Sequence, residues 1–149
     1  MTMTLSELTA RTGLDVLDHL ERQVAVPVVD GIQAQGDLIV IPYVLVADAV
    51  RVHYQRWDDV PAAGIELLRS AGGGNPHALV ADPGTCRWTT YVLDDERLAL
   101  GVIDASAVAY LLHPEHGATG IAPGRYVVRR QRERVTDRSA GQGYRMIAD

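Results

Sequence analysis

The stretch CRWTTYVLDDERLALGVIDASAVAYLLH, residues 86–113, decides the fold. It divides into three short runs, 86–93, 97–103 and 107–113, each rich in β-branched and aliphatic residues and bounded by Asp. Runs of this length and composition predict strands. Asp94-Asp95 between the first two predicts a tight hairpin, with Asp94, Asp95 and Glu96 solvated at its tip. Working outward, VAVPVV, GDLIVIPY, IELLRS, HALVAD, YVVRRQRE and YRMIA repeat the pattern. Many short strands at this spacing predict a mainly β protein, an antiparallel sandwich or barrel.

The N-terminus reads differently. Thr4-Leu-Ser-Glu7 is a capping box: the Thr hydroxyl caps a backbone N–H while Glu7 reaches back. The helix it opens should stop at Gly13, a residue suited to a left-handed C-cap. Asp15 opens a second helical segment in which Leu14, Val16, Leu17 and Leu20 give a partial apolar face. Residues 44–57, VLVADAVRVHYQRW, fit either periodicity; length and freedom from Gly and Pro favour a helix. The expected organisation is one domain over 1–149: a short helical appendage and lead-in over 1–35, and a β core over 36–149. SAGGGNPHA reads as a mobile loop, because glycines restrain the chain little.

Composition narrows the function. No apolar run approaches the roughly 18 residues that span a bilayer. The first residues lack the basic-then-apolar layout of a signal peptide. Cys86 has no second cysteine to pair with, which points to the cytoplasm. The net charge of −5 conceals an asymmetry, since residues 117–149 carry seven arginines against three acids. Such a split suits a charged partner or self-association. ELTARTGLDVLDHL has a helix-turn-helix outline, but Asp15, Asp18 and Glu21 would repel phosphate.

Two motifs carry candidate chemistry. His113-Pro-Glu-His116, with His77, offers three imidazoles and the Glu115 carboxylate, a donor set that a divalent transition metal uses. On a strand, residues three apart face opposite sides, so His113 and His116 converge only if Pro114 bends the chain. Otherwise these histidines cap turns. In the second motif, Arg129, Arg130, Arg132 and Arg134 crowd the end of a strand whose start, Tyr126 to Val128, is buried on both faces. That end suits a protein partner or a second subunit; nucleic acid is the alternative, without aromatic residues for base stacking. No nucleophile signature accompanies either motif, Cys86 reads as a buried thiol, and no catalytic residue is assigned.

The order of motifs resembles a family of small bacterial and phage proteins. The shared stretches are Gly36-Asp37 to Pro42, Gly74-Asn-Pro-His77, His113-Pro-Glu-His116-Gly117, Pro123-Gly124, Tyr126 to Glu133, and Tyr144-Arg145 to Asp149. Asn75 departs from the pattern, which places a first histidine there. The resemblance implies an association with phage or mobile elements but supplies no activity. The expectation is a non-enzymatic interaction or assembly module, with a histidine-based metal domain and an arginine-strand nucleic-acid binder as alternatives.

Overall fold

A computed structural model describes residues 3–14, 16, 25–69, 75–135 and 143–146, with the backbone alone for 69, 132–135 and 143–146. After α1 (Leu5–Thr12) come β1 (Val28–Val29), β2 (Gln33–Gln35), β3 (Leu38–Pro42) and a 3₁₀ turn (Tyr43–Leu45). Then follow β4 (Val50–Val52), β5 (Asp58–Asp59), β6 (Ile65–Arg69), β7 (Pro76–Val80), β8 (Cys86–Thr89) and β9 (Val92–Asp94). The chain continues through β10 (Ala99–Ala105), β11 (Ala109–His113), β12 (Gly117–Ile121), β13 (Gly124–Arg130), β14 (Arg132–Val135) and β15 (Gly143–Met146). The mainly β architecture read from the sequence is what the chain adopts.

Two larger sheets face each other. One has the order β1-β12-β11-β7-β6, antiparallel except for the parallel β1–β12 edge. The other runs β2-β3-β13-β10-β8-β5 and is antiparallel throughout. Strand alternation fills the space between them. Leu38, Val40, Trp88, Ile103, Tyr126 and Val128 come from one sheet, and Leu79, Leu111 and Ile121 from the other. Burying such side chains contributes about 1.5–3 kcal/mol each, which makes this layer the main source of stability. The sheet must come close at Gly101, where an added Cβ would lie 2.4 Å from the Thr89 carbonyl oxygen.

Outer layers cover both sheets. Leu5 and Leu8 of α1, with Val16, pack on Val80 and Leu112 of the five-stranded sheet. The cap follows the sequence reading: the Glu7 N–H donates to Thr4 Oγ1 at 3.1 Å, and Gly13 takes φ 72°. The second segment expected from Asp15 lies mostly outside the described residues, as do Gly72, Gly73 and Gly74 of the expected mobile loop. On the far side, Val102 and Val127 pack under Val50, Tyr43, Val46, Trp57 and Val92. Among the described residues, no helix is long and apolar enough to cross a membrane.

Two expectations fail here. Residues 44–57 form no α-helix, only the 3₁₀ turn and β4. Tyr43 Oη donates to the Val50 carbonyl at 2.8 Å, and Arg51 pairs with Leu93 across the β4–β9 ribbon, so the backbone groups of this segment serve other partners. The runs that flank Asp94-Asp95 do pair antiparallel, β8 with β10, but the hairpin is not tight, because β9 leaves that pairing to join β4. Asp94 is not solvated: its side chain is 3% exposed. It accepts the N–H groups of Glu96, Leu98 and Ala99, and the turn is built around it.

Candidate functional site

The inner rows that supply the core change character at one end of the sandwich. His77 follows the parity of Leu79 on β7, His113 that of Leu111 on β11, and Gln33 and Gln35 share one face of β2. His77 and His113 are fully buried, and Gln33, Gln35 and Asp37 nearly so. Asp37 gets there through the two-residue turn after β2, whose first position, Gly36, has φ 57°, the conformation that favours glycine.

Buried polar groups need partners, and here they find them across the two sheets. Gln35 Nε2 donates to the Leu111 carbonyl at 3.1 Å, which fixes the amide orientation and turns Oε1 to His77 Nδ1 at 3.0 Å. The other ring nitrogen, Nε2, lies 2.9 Å from Asp37 Oδ1. Gln33 Nε2 makes a second bridge, to the Gly120 carbonyl at 3.1 Å. From the C-terminal side, the Gln131 N–H donates to the Asp37 carbonyl, and its Nε2 to those of Gly36 and Leu38.

The Pro114–His116 turn curls around His113. His113 Nδ1 accepts the N–H groups of Glu115 and His116 at 3.0 and 3.3 Å, so Nε2 carries the hydrogen and faces the Asn75 carbonyl at 3.2 Å. The bend that the sequence required of Pro114 therefore exists. The ring centroids of His77 and His113 lie 4.4 Å apart, those of His113 and His116 4.5 Å, and those of His77 and His116 6.2 Å. All three rings gather, but the described contacts commit both His113 nitrogens to backbone groups. Glu115 turns aside to accept from Asn75 Nδ2 at 3.0 Å. His116 is exposed at the mouth.

The arginine motif is divided. Arg129 clamps Asp94 through Nε at 3.1 Å and Nη2 at 2.9 Å, and its side chain is 12% exposed. Arg130 points to solvent. Arg132 and Arg134 lie on β14, paired with β15, and their side chains are outside the described residues.

Sequence reasoning missed a third region, the outer face of the β4–β9 ribbon. Leu93, opposite Arg51, is 48% exposed, and Tyr91 is 40% exposed. Tyr54, at φ 63°, sets its ring edge-on to Tyr91 at 5.9 Å and is 63% exposed. Arg56 lies over Tyr91, and Arg51 reaches toward Asp95 at 3.9 Å. The alternation Tyr91-Val92-Leu93 carried the signal: Val92 packs inward, which turns its two large neighbours outward.

A family model described as Domain of unknown function (DUF8820) matches residues 34–131. The chain belongs to this family. The DUF8820 segment opens within β2 and closes on Gln131, the residue that ties back to Gly36 and Leu38. It therefore encloses Gln35, Asp37, His77, His113 and His116 as well as the ribbon, and leaves α1 outside. No curated protein and no solved structure matches the chain.

Proposed function

We propose that this chain is a non-enzymatic assembly module, and that its binding face is the outer side of the β4–β9 ribbon, which docks a second copy of itself. The supporting observation is the contiguous run Leu93, Tyr91 and Tyr54, three large side chains exposed side by side. Tyrosine and arginine are the residue types enriched where protein surfaces meet. The charge arrangement favours a like partner. Asp95 stands beside Arg51 at one end of the patch and Arg56 at the other, so a two-fold pairing sets Arg56 of one copy against Asp95 of the next. A groove of ≈ 570 Å³ beside the ribbon, bordered by Arg51, Leu93, Asp95 and Arg97, offers the partner's side chains a seat. The proposal keeps the chain among phage- and mobile-element-associated bacterial proteins, in line with the motif resemblance.

The test is the molar mass in solution by light scattering. The wild-type chain should show the mass of two copies, and Leu93→Glu with Tyr54→Ser that of one. Arg132→Glu with Arg134→Glu should leave the dimer intact. A wild-type monomer, or a dimer lost only on reversing those arginines, would defeat the ribbon assignment. The second outcome would move the interface to the arginine hairpin.

A further inference from the structure

The histidine end poses a separate question. Gln35 Oε1 is an acceptor, because its amide nitrogen is taken by the Leu111 carbonyl. It therefore requires a hydrogen on His77 Nδ1. In a neutral imidazole that leaves a lone pair on Nε2, aimed at a carboxylate oxygen 2.9 Å away. Two acceptors at that distance, both buried, repel unless a cation lies between them. A proton meets the need, and so does a metal ion.

We infer that His77 Nε2 and Asp37, joined by the His116 imidazole, form a site for a divalent first-row transition-metal ion that prefers six-fold geometry. The spacing supports that choice. Donors about 2.1 Å from one ion lie about 3.0 Å apart at a right angle and about 3.4 Å apart at the tetrahedral angle. The observed 2.9 Å is an ordinary hydrogen-bond length and equals the right-angle separation, so an ion could take the proton's place without moving either group along the line between them. Two imidazoles with one carboxylate is a donor set suited to such ions. Gln35 plays the supporting part usual around ligating histidines, holding the distal N–H so that the other nitrogen faces the metal.

His116 is the movable member. It sits exposed on the Pro114–His116 turn, its ring plane 8° from that of His77. Among the described residues, no three donor side chains stand ready-made around one point. Binding therefore requires the His116 ring to swing toward the His77–Asp37 pair. His113 stays outside, since its nitrogens are engaged with the turn and with Asn75.

The full-length chain, stripped with chelator and dialysed, is titrated calorimetrically with cobalt(II) chloride. One ion should bind per chain. The bound cobalt should show the weak visible absorption of six-fold coordination. Asp37→Asn is the sharpest variant, because its amide N–H can donate to a neutral His77 Nε2 while the ligand charge is removed. It should weaken binding ~10-fold or more, as should His116→Ala at the exposed turn. A wild-type chain that binds no cobalt, or an Asp37→Asn chain that binds it as tightly as wild type, overturns the inference and leaves a hydrogen-bonded structural brace.

Discussion

Two carboxylates on the outer side of the six-stranded sheet face arginines, and they do opposite work. Asp94, the last residue of β9, keeps only 3% of its side chain exposed, held by three backbone N–H groups and the two-pronged grip of Arg129. Asp104 lies in register between Arg87 and Arg125 on the neighbouring strands, 2.7 and 3.3 Å from their guanidinium groups. Its side chain is 29% exposed, and its two arginines are about half exposed beside Trp57. The ingredients match; the cover differs. Where water is excluded, an ion pair becomes a structural joint that fails badly if one side is removed. Where water enters, the same pair contributes little.

Removing one partner at each place should expose the difference. Asp94→Ala strands a buried guanidinium and three N–H groups, and should cost about 3–5 kcal/mol in a urea unfolding series. A loss below about 1 kcal/mol would place Asp94 with the surface pairs.

Acid titration should give the next largest effect. Burial alone would raise the Asp94 carboxyl, but the N–H groups of Glu96 and Leu98 together with Arg129 hold it below the usual carboxylate value. Burial likewise opposes the lowering at Asp104, where Arg87 and Arg125 prevail. A carboxyl depressed in the folded state adds stability that is complete above about pH 4 and disappears as the pH falls through the native value. Asp94→Asn should therefore flatten the fall in stability below about pH 4, and Asp104→Asn should flatten it less. Equal flattening would erase the contrast.

The smallest expected change is Asp104→Asn at neutral pH, about 0–1 kcal/mol, shrinking further in 1 M salt as screening shortens to about 3 Å. A salt-independent loss at that position would show that Trp57 shields the triad more than its exposure suggests.

The same contrast explains what could be read without coordinates. Alternation along Ala99–Ala105 and Gly124–Arg130, and the Thr4–Glu7 cap, are local signals, and local physics decides them. Residues 44–57 satisfied both a helical and a strand-like pattern. The choice came from Val127 and Val102 beneath them and from the β9 partner, none of which is local. Asp94 was legible as a turn residue but not as a buried anion, because its arginine lies 35 positions away. At the histidine end, His77, His113 and His116 were legible as candidates and do gather. Gln35 and Gln131, whose amides set the orientation of the centre, were not, since a glutamine in a strand has no signature until its partner across the sandwich is known.

Cys86 is sealed inside the sandwich, and burial first, then the charge of Asp104, pushes its thiol up to about 11. Near neutral pH it is neither ionised nor reachable, so an alkylating reagent should find it only when the two sheets part. The chain thus carries its own clock for opening. The rate at which this single sulfur is labelled measures how often the sandwich breathes, with no probe added by mutation.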